Sequence, residues 1–249
     1  HLQFQQLLFR QLAMVSPDTL TPTLLSTTYF GPIQWYQKLH RHKPCLIERH
    51  ESFIKQTYRN RMVIATANGA QTLSIPVTHD DSMLITDIRI SDHANWRHVH
   101  LNALASAYGE SAFFEYYQDD IRPFFEQKWE FLYDFNEAIM YKMIELLDLR
   151  VDVGATESYI KTETHDNADV IGDYRESIRP KKPLPDAAFC PQRYYQVYAQ
   201  RHGFIPNLSI LDLLFNQGNE SNSISDTLFI YKRGELRRVK DRLRHLLYV

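Results

Sequence analysis

The sequence predicts an α+β fold, a single domain with a strand-rich N-terminal half followed by a helical C-terminal half. Three observations carry this expectation. Between Cys45 and Ile90 short apolar runs alternate with polar residues and are bounded by turn formers such as Lys43-Pro44 and Asn68-Gly69. From Asn95 onward the apolar residues recur at helical spacing instead. A chain of 249 residues that is 44% hydrophobic can bury one sizeable core.

The elements follow in order. Ser16-Pro17-Asp18 and Thr21-Pro22-Thr23 form a turn-rich lead-in, and Leu24 to Thr28 reads as a buried strand ending at Tyr29. Pro32 suits the first turn of a helix carrying Ile33, Tyr36, Gln37 and Leu39, because its missing N–H costs nothing there. Cys45 to Glu48 reads as a second strand. Phe53 to Ala65 reads as one long strand or a strand pair, and Asn68-Gly69 turns it into Thr72 to Val77. Met83 to Ile90 alternates again.

The helical half begins with Ser91, Asp92 or Asn95 as cap, followed by Trp96, His100, Ala103, Leu104, Ala107 and Tyr108 on one face. Ser111 to Asp119 suggests a short aromatic helix, and Arg122-Pro123 starts another segment. Leu132 to Leu149 is amphipathic, with Phe135, Ile139, Met143, Leu146 and Leu147 aligned. Residues 151–186 read as a long polar loop with Pro180, Pro183 and Pro185 near its end. Tyr194 to His202 reads as a helix stopped by Gly203, and Asn207 to Phe215 as a helix capped near Asn207 or Ser209. The organisation expected is an N-terminal extension over 1–23, a domain over 24–220 and a basic amphipathic tail over 221–249.

Composition narrows the function. With 28 Lys+Arg against 30 Asp+Glu the net charge is -2, so no global field draws in nucleic acid, and any anion site must be local. Cys45 and Cys190 are too few for a disulfide framework and lack metal-ligand spacing, which fits reduced thiols in a cytoplasmic protein. No apolar run reaches the ~20 residues needed to span a bilayer. Arg10 and Gln11 break the apolar run Leu7-Leu8-Phe9, so His1 to Leu25 does not read as a secretory signal. No phosphate loop, dinucleotide fingerprint or Gly-x-Ser-x-Gly elbow occurs, and no cofactor is identified.

Three polar-aromatic clusters remain. If Phe53 to Arg61 is extended, Lys55, Thr57, Arg59 and Arg61 share one face and Gln56, Tyr58 and Asn60 the other. The cations suit a phosphate or carboxylate, and the amides and phenol suit sugar hydroxyls. A solvated edge strand is the plain alternative. Tyr29-Phe30, just ahead of a helix N-terminus, sit where a ligand could meet free backbone N–H groups, or they simply pack. Trp96 and His100 lie one helical turn apart while His98 faces elsewhere, which argues against a His98-x-His100 metal pair and leaves no metal site expected.

In order and spacing these clusters resemble the bacterial WbqC-like family, which is associated with O-antigen and other surface-polysaccharide gene clusters. Asn60-Arg61 matches its Asn-Arg pair, with Gln56 and Tyr58 in the same stretch, and His100 the His of its Trp-x-x-x-His pattern. Thr27 to Tyr36 keeps the aromatics and the Pro of its first motif, including Gln34, but not the leading Gln or the inner Gly. Asp173-Tyr174-Arg175 with Pro180-Lys181 resembles its Asp-x-Arg and Pro-Lys element, and Gly203 to Leu214 its C-terminal segment.

The resemblance implies a transferase that modifies a sugar or lipid-linked intermediate of a surface polysaccharide, with acyl or glycyl transfer from an activated donor. In that reading His100 is the general base and Asn60 and Tyr108 assist it. Tyr29, Gln34, Lys55, Gln56, Tyr58, Arg61 and Trp96 bind substrate. A non-catalytic binder of a nucleotide-sugar or glycan intermediate, and an envelope-pathway assembly factor docking through the basic tail, are the alternatives.

Overall fold

A computed structural model describes residues 22–41, 44–161 and 172–219. The expected extension over 1–23, except its last two residues, and the basic tail over 221–249 lie outside the described residues. The chain is α+β, as its sequence predicts, and its central sheet is parallel.

Strand β1 (Thr23–Ser26) is wholly buried and leads through Pro32 into helix α1 (Ile33–Arg41). The chain then returns as β2 (Cys45–Glu48), parallel to β1, with Leu24 opposite Leu46 and Leu25 opposite Ile47. Helix α1 is tied to this pair at both ends. The Trp35 Nε1–H donates to the Ser26 carbonyl at 2.9 Å, and the Cys45 thiol lies 3.7 Å from the Lys38 and Leu39 carbonyls. This strand–helix–strand crossover is what a parallel pair requires.

The stretch after β2 departs from expectation. Of this stretch only β3 (Arg61–Thr66) is a strand; residues 55–60 form turns and bends. The side chains there satisfy the backbone locally: the Thr57 hydroxyl donates to the Ile54 carbonyl at 2.8 Å, and Gln56 adopts φ 63°. Arg59 is drawn inward by Glu51, whereas Lys55 is exposed. The two-faced row of Lys55, Thr57, Arg59 and Arg61 against Gln56, Tyr58 and Asn60 therefore does not form.

The hairpin at Asn68-Gly69 does form, joining β3 to β4 (Gly69–Ser74) with Thr66 opposite Gly69. Beyond it, β5 (Val77–Thr78) pairs with β6 (Arg89–Ile90). Between them the expected strand over Met83 to Ile90 is mostly a 3-10 turn at Ile85–Asp87, which follows the Ser82 hydroxyl bonded to Asp87 and to the Leu84 amide.

The helical half follows as α2 (Trp96–Tyr108), α3 (Phe114–Ile121), α4 (Pro123–Glu126) and α5 (Leu132–Leu146). Asn95 precedes α2 in a left-handed conformation and makes no side-chain cap bond. Helix α5 buries Phe135, Ile139 and Met143 in one continuous core with Tyr29, Phe30, Trp96 and Phe125.

Strand β7 (Val153–Ala155) joins β2 in parallel, giving a three-stranded sheet in the order β1-β2-β7. It lies inside the stretch read from sequence as loop, because three residues, Val-Gly-Ala, give no periodic signal. The expected helix over Tyr194 to His202 shrinks to α6 (Ala199–His202), which ends at Gly203 with φ 82°. Helix α7 (Ile210–Gln217) closes the domain, capped by the Ser209 hydroxyl accepting from the Leu211 amide. Among the described residues no helix is long and apolar enough to cross a membrane.

Candidate functional site

The structure brings some of the sequence-predicted residues together and separates others. Tyr29, Trp96 and His100 meet in the core: the Tyr29 hydroxyl and His100 Nδ1 are 2.8 Å apart, and the Trp96 and His100 rings meet edge-on at 5.2 Å. Phe125 and Phe135 enclose them. Burial pushes the His100 pKa down to about 4, and a hydrogen bond to the Ser74 backbone opposes this only in part. With the ring donating to the Ser74 carbonyl, Nδ1 accepts from Tyr29, so both ring nitrogens are engaged within the protein.

Asn60 sits beside this group. Its Nδ2 donates to the Ile75 carbonyl at 2.9 Å and its own carbonyl accepts from the Ile75 amide at 2.8 Å. Asn60 and His100 thus hold consecutive residues where β4 ends. Arg61 pairs with Ser74 in the hairpin. Tyr58 is buried, and its carbonyl accepts from the Tyr29 amide.

The other predicted residues lie elsewhere. Tyr108 is two turns along α2 from His100, and its hydroxyl donates to Asp212 at 2.8 Å. Tyr194 and Gln196 also donate to that carboxylate, at 2.5 and 3.0 Å, which makes the trio a buried knot between α2, α7 and the 194–205 segment. Gln34 bridges Asp186 and Asn207. Lys55 and Gln56 are exposed, and Gln56 Oε1 accepts from Lys181 at 3.4 Å.

A separate cavity touches none of these ten residues. It is a cleft of about 410 Å³ lined by His50, Glu51, Ser52, Ile54, Tyr159, Asp173, Arg175 and Glu176. It opens beyond the carboxyl ends of β1, β2 and β7, the place where parallel sheets gather their loops and leave room for ligands. The loop after β2 forms one wall, and the segments after β7 and around Asp173 form the other.

Two buried ion pairs build its base. Arg59 donates to both Glu51 oxygens, Nε to Oε1 at 2.9 Å and Nη2 to Oε2 at 2.6 Å, and also to the Ser26 hydroxyl at 2.8 Å. Ser26 in turn donates to Glu51 Oε2 at 2.9 Å. Arg175 grips Asp173 through Nε and Nη2, and reaches Glu48 through Nη1 at 3.0 Å. Burial alone would depress the Arg175 pKa, but the Asp173 hydrogen bond and charge raise it above the ordinary value. Glu48 is fully buried and accepts besides from the Thr156 hydroxyl, the His50 amide and the Ile160 amide.

His50 is the histidine of this cleft. Its Nε2 lies 3.1 Å from the Thr156 carbonyl. A carbonyl only accepts, so that nitrogen carries the proton and Nδ1 is the basic one in the neutral ring. The ring is therefore oriented by strand-end backbone while its own backbone is anchored by Glu48. Tyr159 is half exposed at the rim, with the Arg175 guanidinium 5.1 Å from its ring centre.

Comparison with protein families decides the affiliation: the model of the WbqC-like protein family matches residues 27–178 and 186–224. The chain belongs to the WbqC-like family. No curated protein and no solved structure matches it. The family match spans both walls of the cleft and the Asp173-Tyr174-Arg175 element that closes it.

Sequence reasoning noted Asp173 and Arg175 as a motif but gave the cleft no site. It missed Ser26, Glu48, His50, Glu51, Arg59 as a buried partner, Thr156 and Tyr159. One signal was available: Glu48-Arg49-His50-Glu51 is a dense polar run directly after a buried strand. That run becomes informative only once β1, β2 and β7 are known to be parallel. Among the described residues no group of His, Cys, Asp and Glu could hold a metal ion.

Proposed function

We propose that this WbqC-like protein is a transferase that modifies a sugar of a surface-polysaccharide intermediate, with the cleft as substrate site and His50 as general base. The observation that carries the reading is His50 itself: it lines a large cleft, and the Thr156 carbonyl fixes its tautomer. A volume of about 410 Å³ is of the size that holds one small ligand. Glu176, the exposed carboxylate of the lining, suits a sugar hydroxyl, and the half-exposed Tyr159 ring offers a stacking surface.

The reaction is acyl or aminoacyl transfer. A sugar hydroxyl or amine attacks the carbonyl carbon of an activated acyl donor while its proton passes to His50 Nδ1. The new C–O or C–N bond forms, the tetrahedral intermediate collapses, and the bond to the donor's leaving group breaks. That group departs with the proton from His50. The base role is better supported at His50 than at His100, whose ring nitrogens both bond within the core.

The test is mass-spectrometric screening of nucleotide-sugars and lipid-linked sugars with activated acyl and aminoacyl donors. His50→Gln is expected to cut turnover at least about a hundredfold with the thermal midpoint little changed, the usual size for loss of a general base. Full turnover in His50→Gln would remove the base assignment. Ligand binding to the cleft with no product from any donor would favour a non-catalytic binder of the same intermediate.

A further inference from the structure

Resting on the reading of the cleft as a sugar site, its charge narrows the ligand. The groups that line it include three carboxylates, Glu51, Asp173 and Glu176, against one guanidinium, Arg175. The layer beneath adds Arg59 and Glu48, one of each sign, and Arg179 pairs with Glu176 at the surface, so one negative charge remains in excess.

The guanidiniums are not free to receive an anion. Arg59 is held in a two-point contact with Glu51, and Arg175 in a two-point contact with Asp173 plus a contact to Glu48. A phosphate or carboxylate entering the cleft would have to displace these partners and would face the remaining carboxylates at close range.

The carboxylates differ from one another. Glu51 is nearly buried and saturated by Arg59 and Ser26. Asp173 is engaged by Arg175 and by the Arg175 amide. Glu176 is the accessible one: it is 48% exposed and stands 3.6 Å from Arg59, too far for a hydrogen bond, while its other oxygen pairs with Arg179 at the surface. Beside it on the cleft wall stands the half-exposed ring of Tyr159, which already meets one cation, the Arg175 guanidinium 5.1 Å from its centre; the exposed part of the ring and the carboxylate together recognise a cationic nitrogen.

We infer that the cleft takes a sugar bearing a primary ammonium, received by Glu176 beside the Tyr159 ring, in preference to neutral or phosphorylated sugars. The cationic nitrogen sets specificity, and His50 on the opposite lining acts on whichever group of the sugar is acylated.

The probes are D-glucosamine, D-glucose as the neutral isostere and glucose 6-phosphate as the anionic control, titrated into the full chain with amide chemical shifts as readout. Glucosamine is expected to shift the amides of residues 50–54, 159 and 173–176 and to bind roughly tenfold more tightly than glucose, the value of one favourable charge contact. Glu176→Gln is expected to abolish that tenfold advantage, so that glucosamine and glucose bind alike. Equal affinity for glucosamine and glucose, or tighter binding of glucose 6-phosphate, overturns the ammonium assignment and leaves the sugar reading intact. If none of the three shifts those amides, the sugar reading falls and the ammonium assignment with it.

Discussion

Arg175→Met tests the foundation of the cleft. The substitution keeps an unbranched apolar stem but removes the cation from Glu48 and Asp173. Their costs differ. Asp173 is 21% exposed and can turn to water, so its loss of a partner contributes little. Glu48 is fully buried, and without Arg175 it keeps only the Thr156 hydroxyl and the His50 and Ile160 amides as donors. Stranding such a charge costs about 3–5 kcal/mol. For a chain of this size that is a fall in thermal midpoint of roughly 6–20 °C. Equilibrium urea unfolding measures it directly. The charge can be separated from the packing by adding Glu48→Gln: the double variant loses the buried charge and is expected to be more stable than Arg175→Met by about 1–3 kcal/mol. If Arg175→Met lies within about 1 kcal/mol of wild type, or if the double variant is no better than the single, the pair is not a buried charge pair and the account of the cleft base is wrong.

Two further predictions concern the core. Because burial lowers the His100 pKa to about 4 from an unfolded value near 6.5, the folded state refuses a proton that the unfolded state binds between those values. Stability therefore falls as pH drops from 6.5 toward 4, by about 3 kcal/mol in total from this group, and is unaffected by it above 6.5. Urea unfolding at several pH values should show a shallower slope in His100→Gln; parallel slopes would contradict the burial argument. Asp212→Ala leaves the Tyr108 and Tyr194 hydroxyls without their acceptor and takes one acceptor from the Gln196 amide, which keeps the Ile205 carbonyl, at a cost of roughly 3–5 kcal/mol. Hydrogen exchange at the Ile205 amide, which donates to Gln196 Oε1, should quicken markedly; unchanged exchange would show that the knot does not secure that segment.

What was legible in the sequence follows the strength of local signals. The strands β1 and β2, the Asn68-Gly69 hairpin and helices α2, α5 and α7 each carry a pattern that local sterics and one buried face dictate, and they form where expected. The failures share a cause. In residues 53–60 alternation suggested a strand, but Thr57 bonds its own backbone and Arg59 is drawn in by Glu51, so side chains overrode the pattern. In residues 194–198 a helical pattern lost to a buried carboxylate on α7 that binds the side chains of Tyr194 and Gln196. β7 had too few residues to signal at all, and its pairing is set entirely by β2.

The site was hidden for the same reason on a larger scale. Ser26, Glu48, Thr156 and Arg175 are spread along the chain, and each taken alone is an ordinary polar residue at a strand end or in a loop. They converge because β1, β2 and β7 run parallel, so three carboxyl ends point one way and the polar residue after each strand arrives at a common mouth. The conspicuous aromatics, by contrast, pack in the core: Tyr29 stacks on Phe135 and Trp96 meets Phe125 and Phe135 edge-on, while His100 is held between Tyr29 and Ser74. A motif rich in aromatics and histidine is compatible with chemistry or with packing, and only the route of the hydrogen bonds separates the two. Those at His100 close inside the core, whereas those at His50 leave a basic nitrogen in a residue that lines the open cleft. That difference moves the expected base from the helix to the strand end, and it makes the paired comparison of His50→Gln with His100→Gln decisive: the first should lose turnover while keeping stability, the second should keep turnover wherever it remains folded.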